Sequence, residues 1–460
     1  MSVLHSLTGL ILIFITFNPS NAKQAQPISN ILRIDNFFDK IHEWRNCSQG
    51  FQENQMHISG SMVLAGVFCF IASSISSAGG IGGGGLFIPI LAIVAGLDLK
   101  TASSFSAFMV TGGSLANVLC NLCNTSSKFG GGSLIDYDIA LLSEPCMLLG
   151  VSIGVICNLV FPEWLITVLF ALFLTWSTSK TCSRGFHFWK SESEEIRYNG
   201  SEEVENGLAE NGTEKEGSNS IEEQLLSPEG TIKLRIPRLK LAILLLIWFS
   251  FFSLYLLRGN KNGKSIIPMK QCGVGYWILS LVQVPLALVF TAWIFFRKES
   301  NQDQNLMQED PYLSTNGPSS KLIFPGMALL AGILGGIFGI GGGMLISPLL
   351  LQVGIAPQVT AATCSFMVFF SSTMSAFQYL LLGMEHIEIA LILALICFVA
   401  SLVGLLVVQR AVTNYGRPSL IVFLIGTVMS LSIVLMTSFG TIEIWRDYTS
   451  GRYMGFKQPC

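Results

Sequence analysis

Two short runs place backbone, rather than side chains, where chemistry could be done. "GGIGGGGLFIPIL" occupies residues 79–91 and "FGIGGGMLISPLL" residues 338–350. Glycine inside a helix costs roughly 0.5–1 kcal/mol relative to alanine, so this density marks chain that must turn tightly or be approached closely. Proline lacks an amide hydrogen and suits the first turn of a helix, so Pro89 and Pro348 predict short helices starting about two or three residues earlier. The glycines then lie just ahead of a helix N-terminus. Successive N–H groups of Gly82, Gly83, Gly84 and Gly85, and of Gly341, Gly342 and Gly343, can converge there on one point. Such a nest, reinforced by the helix dipole, binds an anion.

Hydroxyl groups follow at helical spacing. Asp98 and Pro357 hold equivalent positions and read as helix starts, which puts Thr101 and Thr360 in first turns. Ser104 and Thr363 come one turn later on the same face, and Ser106 and Ser365 recur as well. Neutral hydroxyls hold an oxyanion without a permanently buried charge. Small and hydroxyl residues also make close helix contacts in membranes, so packing symmetry is the competing explanation. Glu144, in "LLSEPCMLLG", is the one carboxyl group well inside an apolar segment and is a candidate proton-coupling site. A kink or interface position set by Pro145 is the alternative.

Other chemistries find no footing. A nucleotide loop needs Lys-Ser/Thr after its last glycine, but Leu86 follows Gly85 and Met344 follows Gly343. No soluble α/β unit surrounds the glycines, and Ser, His and Asp form no catalytic arrangement. Cys120-Asn-Leu-Cys123 is a lone CxxC without a second pair. Neither an enzymatic activity nor a cofactor or metal is expected.

These residues sit in a chain of 460 residues, 51% hydrophobic and only 12% charged. Soluble domains have about a quarter of their residues charged. The expectation is an all-α polytopic protein, multi-pass in the endomembrane system or plasma membrane, with the lipid bilayer as its solvent. A net charge of −2 supplies no basic face for nucleic acid.

Residues 1–22 have an apolar core ending on small residues and read as a cleaved signal peptide. Residues 23–59 are then luminal, with Asn46 of Asn-Cys-Ser open to glycosylation. Apolar segments fall at about 60–78, 83–97, 101–122, 138–161 and 163–178, then at about 240–257, 274–296, 322–338, 342–355, 358–383, 387–409 and 418–438. The segments after the glycine runs are too short to cross a bilayer core of about 30 Å and read as discontinuous or re-entrant. Residues 181–238 are expected to be a disordered acidic loop. Residues 297–321 read as a polar linker and 441–460 as a tail.

"GIGGGGLFIPILAIVAGLDLKTASSFS" from Gly80 aligns without a gap on "GIGGGMLISPLLLQVGIAPQVTAATCS" from Gly339, with about twelve of 27 positions identical. The chain therefore holds two copies of one membrane unit, at 60–180 and 322–440, with a helix pair inserted at 239–296. Six ordinary spans separate Gly82 from Gly341, plus the short segment if it crosses. An odd total makes the repeats inverted, the arrangement expected here.

The twofold GxGGGxxxxP signature, followed by a short helix and a Thr/Ser-rich one, resembles the sulfite exporter TauE/SafE family, in its longer plant-type form. The resemblance implies a secondary transporter of small inorganic or organic sulfur anions, such as sulfite and sulfonates. A proton is a candidate coupling ion, and no protein partner is specified. An anion channel and a non-transporting scaffold or receptor stay open as alternatives.

Overall fold

In lipid, only a helix satisfies all of its own backbone polar groups within one segment, and this chain is built accordingly. The structure is a computed structural model that describes residues 60–77, 79–123, 134–209, 238–258, 274–302, 318–384, 386–415, 417–449 and 455. These fall in one unit, Gln55–Cys460. The expected signal peptide, Asn46 and residues 210–237 of the acidic loop lie outside the described residues.

Twelve helices and no strand are found among the described residues. Repeat 1 comprises α1 (Gly60–Ser77), α2 (Gly84–Ile93), α3 (Leu99–Cys123), α4 (Tyr137–Val160) and α5 (Glu163–Ala209). The inserted pair is α6 (Arg238–Arg258) and α7 (Val274–Gln302). Repeat 2 follows as α8 (Pro318–Phe338), α9 (Gly343–Val353), α10 (Pro357–Leu381), α11 (Ile387–Tyr415) and α12 (Ser419–Thr449). Nine of the described helices are long and apolar enough to cross a membrane, so the protein is a multi-pass membrane protein. Helices α2 and α9 and the apolar part of α8, Phe324–Phe338, are shorter.

Local signals set several boundaries. Asp136 caps α4 by accepting the amides of Asp138 at 3.0 Å and Ile139 at 3.1 Å. Asp98 accepts the Thr101 amide at 3.1 Å, Pro357 opens α10, and Gly354 ends α9 in the left-handed conformation. Helix α5 departs from expectation. It continues to Ala209, so residues 181–209 of the expected acidic loop are helical. Part of that extension is held by packing: Glu192 accepts from the Ser419 amide at 2.8 Å, and the Arg417 guanidinium lies 4.1 Å from the centre of the Trp189 ring.

The repeats are interlocked rather than side by side. Helix α1 packs on α11 and α8 on α4. Equivalent residues serve both seams: Gly404 lies against the Ser74 carbonyl, and Gly154 against the Ile333 carbonyl. Helices α3 and α10, counterparts of each other, run antiparallel, because Thr111 pairs with Ser372 (3.1 Å) while Asn117, further along, pairs with the earlier Ser365 (3.4 Å). Counterparts α5 and α12 are antiparallel too: Thr167 meets Gly440, Ser177 meets Met429 and Gly185 meets Val422. A twofold along the membrane normal would leave counterpart helices running the same way. Here they oppose each other, so the pseudo-twofold lies in the membrane plane and the repeats are inverted.

The same contacts orient the chain ends. Helix α1 is parallel to α3 (Ser73 near Gly113, Ser77 bonded to Asn117), and α2 is antiparallel to α3 (Gly82 at Val110, Gly84 at Ser106). Helix α2 is parallel to α12 (Gly79 at Ile425, Gly85 at Ser432), so α5 points the same way as α1. The start of α1 and the end of α5 therefore open on opposite faces. Glycosylation mapping of the full-length protein is expected to find glycan at Asn46 and none at Asn199 or Asn211; glycan on both sets would contradict this topology.

Candidate functional site

Each glycine run reverses the chain inside the protein. Gly80, Gly82 and Gly83 have φ of 69°, 75° and 79°, and their counterparts Gly339, Gly341 and Gly342 have 64°, 67° and 74°. An L side chain in that region costs roughly 1–2 kcal/mol, so glycine is needed at both sets of positions. Gly83 and Gly342 are the N-caps, and α2 and α9 begin immediately after them. The short helices thus start earlier than the prolines predict. Pro89 and Pro348 fall in second turns, because the left-handed cap rather than proline starts each helix. Each α1–α2 or α8–α9 unit is a re-entrant hairpin with a buried glycine tip.

The two tips touch. A Cβ on Gly84 would come within 2.8 Å of Ile340 Cα, and one on Gly343 would collide with Val368 and lie 3.3 Å from the Ile81 carbonyl. Gly82 and Gly341 both pack on Val110 and Val368, which stand between the tips. Gly80 lies against the Ala361 backbone and Gly339 against that of Ser103, so each tip wedges against the long hydroxyl-rich helix of the other repeat. Gly85 and Met344 are counterparts and meet on the pseudo-twofold, where the Met344 thioether fills the space beside Gly85.

Among the described residues, no backbone acceptor is found for the amides of Gly82 and Gly83 or of Gly341 and Gly342, whereas these two left-handed pairs form tight turns through which the start of each short helix closes back toward Ile81 and Ile340. Buried amides normally have partners, so these donors are the notable chemical feature of the tips. The carbonyls are partly engaged: Ser371 donates to Gly341 O at 2.6 Å and Ser106 to Gly84 O at 3.4 Å.

The first-turn hydroxyls sit elsewhere. Thr101 lies nine residues before Val110, about 13 Å along the helix axis at 1.5 Å per residue. Ser104 donates to the Lys100 carbonyl at 3.0 Å and Thr360 to the Ile355 carbonyl at 3.4 Å, while Thr363 accepts the Asp136 amide at 2.9 Å. Those hydroxyls hold helix ends. Hydroxyls at the tips include Ser76 against Gly83, Ser432 beside Gly85, Ser106 on the Gly84 carbonyl, and Ser371 and Ser372 at Gly341, and the sequence signal for the last two is their depth at mid-helix rather than their recurrence. Glu144 is fully buried in α4, and neither carboxyl oxygen has a hydrogen-bond partner. Met147, one turn on, reaches the Gly342 tip. Lys100 donates to the Leu159 carbonyl at 2.7 Å, capping the end of α4.

Residues 2–181 and 236–433 match the family described as Sulfite exporter TauE/SafE. The chain belongs to the sulfite exporter TauE/SafE family. It is 57% identical to Sulfite exporter TauE/SafE family protein 2 of Arabidopsis thaliana, over 99% of this chain and 100% of that one. Family proteins 5 and 6 of the same plant are 56% and 46% identical, each over 100% of both chains. No solved structure matches. The two matched stretches take in both glycine hairpins and leave out residues 182–235, which include the polar end of α5. TauE/SafE proteins are membrane transporters rather than enzymes.

Substitutions at the tips test the wedge. Gly80→Ala and Gly339→Ala are each expected to cost about 2–5 kcal/mol, the sum of left-handed strain and overlap with a neighbouring backbone. Gly96→Ala, with φ of 71° and open space around it, carries only the strain of about 1–2 kcal/mol. Thermal unfolding of the three variants in detergent checks the order.

Proposed function

We propose that the chain is a secondary transporter that carries a small sulfur-containing oxyanion, sulfite or an organic sulfonate, by alternating access. The observation that carries this reading is the pair of matched, buried glycine tips at the centre of inverted repeats, where the amides of Gly82, Gly83, Gly341 and Gly342 have no backbone acceptor among the described residues. Sulfur oxyanions enter from the names of the relatives and agree with donor-only chemistry. Gly82 to Gly85 and Gly341 to Gly343 would supply backbone N–H groups, and the dipoles of α2 and α9 add positive potential. Thr101, Ser104, Thr360 and Thr363 flank the tips along α3 and α10 and line the route rather than the centre.

Inverted repeats supply the mechanism. When each repeat adopts the other's conformation, the site opens to the opposite face without a new fold. The energy source in this reading is a proton carried by Glu144. A carboxylate ionised in that partnerless position bears a desolvation cost of several kcal/mol, which protonation removes. The same reading makes residues 1–22 a cleaved signal peptide, residues 23–59 a luminal segment glycosylated at Asn46, and the host membrane an endomembrane or the plasma membrane.

Proteoliposomes containing the full chain are expected to show saturable uptake of sulfite or a small sulfonate, faster with an imposed proton gradient. Glu144→Gln is expected to keep flux down the anion's own gradient and lose the acceleration by protons. Flux no greater than in protein-free vesicles, from folded protein, defeats the transport reading; full proton dependence in Glu144→Gln removes only the coupling role.

A further inference from the structure

The repeats are not equivalent at their tips, and three observations favour one hairpin. On the pseudo-twofold, Met344 of repeat 2 lies over Gly85, at the first turn of α2. Gly85 has no side chain to return over α9. The first turn of α2 is therefore covered by a side chain from the other repeat's short helix, whereas at α9 Met147 reaches Gly342 and Val368 meets Gly343.

The second observation lies on α10. Ser371 donates to Gly341 O (2.6 Å) and Tyr379 to Gly336 O (3.0 Å), so this face of α10 looks onto the α8–α9 hairpin. Ser375 is one turn beyond Ser371 on that face, and Gln378 is nearly two turns beyond it. Ser375 is 0% exposed and Gln378 5%, yet Ser375 Oγ and Gln378 Nε2 have no hydrogen-bond partner. Buried donors of this kind cost about 1–3 kcal/mol each when unmet. Their counterparts on α3, read from the repeat alignment, are Ala116 and Leu119, which offer no side-chain donor.

The third is depth. Helices α4 and α10 run in parallel, with Asp136 bonded to Thr363, Tyr137 stacked on Phe366, and Val151 clustered with Ala376 and Tyr379. That register brings Glu144 level with the Ser371–Ser375 stretch. Its counterpart in repeat 2 is Ala394.

We propose that the protein binds a single oxyanion at the repeat 2 hairpin, where Ser375 and Gln378 are side-chain donors on the face of α10 that meets the hairpin between Gly336 and Gly341. The repeat 1 hairpin, which lacks counterpart side-chain donors, holds no second anion of its own. This inference rests on the anion-transport reading. The donors are a hydroxyl, a carboxamide N–H and backbone N–H groups, which together suit the three-oxygen head shared by sulfite and sulfonates.

Titration calorimetry of the purified full chain with sulfite tests it. Wild type is expected to bind with a stoichiometry of one. Ser375→Ala and Gln378→Met are each expected to weaken binding about tenfold or more, the usual scale for a hydrogen bond to a charged group. Thr373→Ala, which removes a hydroxyl from the opposite side of α10, is expected to leave affinity unchanged. Should Gln378→Met not fold, Gln378→Glu keeps the volume and is expected to weaken binding by placing a carboxyl group near the anion. Wild-type affinity in the Ser375 and Gln378 variants, or two sites per chain, overturns the assignment and leaves the transport reading standing. A wild type that binds none of sulfite, sulfate and methanesulfonate removes both.

Discussion

Everything in this architecture depends on backbone meeting backbone at the glycine tips. Gly84 sits on Ile340 Cα, Gly80 on the Ala361 carbonyl and Gly339 on that of Ser103, all closer than a side chain permits. Those approaches fix how deep each hairpin enters and therefore where α3 and α10 cross. They also explain the cost accepted in the sequence. Left-handed residues lose nothing extra when they are glycine, and their conformational freedom is offset by contacts that no other residue could make.

Symmetry then fails in two places, each for a physical reason. Two side chains cannot share a point on a twofold axis, and two glycines there would leave a void, so Gly85 opposite Met344 is the packed solution. The second break is the inserted pair. Helix α6 and helix α7 cover α4, through Trp248 on the Phe370 carbonyl of neighbouring α10 and Cys146 beside Thr291, so α4 is largely buried. Its counterpart α11 shows Leu391, Leu395 and Leu406 on its exposed surface. An acid is tolerable at Glu144 because protein surrounds it, whereas the uncovered helix has no comparable shelter.

Much of this was legible in the sequence because the repeat is a statement about geometry. The alignment of Gly80 with Gly339 pairs the three left-handed glycines of each tip, and the in-plane twofold common to alternating-access transporters anticipates the inversion seen in α3 against α10. What the sequence did not reveal depends on depth. Proline position suggests where a helix starts, but a left-handed cap at Gly83 or Gly342 starts it sooner. Recurring hydroxyls in first turns drew attention to Thr101 and Thr360, although the tips reach α3 and α10 several residues later. Nor does polar composition forbid a helix: the extension of α5 is partly held by Glu192 on Ser419, a contact between residues 227 positions apart.

The two seams between repeats differ in kind although they are symmetry-related. Between α1 and α11 the contacts include directional bonds: Ser73 to the Cys397 carbonyl at 3.1 Å, Ser74 to the Ala400 carbonyl at 3.0 Å, and Ser77 to the Ser401 carbonyl at 3.1 Å. Between α4 and α8 the counterparts of Ser73 and Ser77 are Gly332 and Gly336, packed against Gly150 and Gly154, and a directional bond runs from Asn158 to the Ile337 carbonyl at 2.6 Å. A shift along the helix axis costs the first seam specific hydrogen bonds, each worth about 1 kcal/mol net. Across the glycine seam the same shift exchanges one smooth backbone contact for another. Glu144 and the repeat 2 hairpin both lie on that side, so the side-chain chemistry of the molecule sits beside the seam with fewer fixed bonds to break.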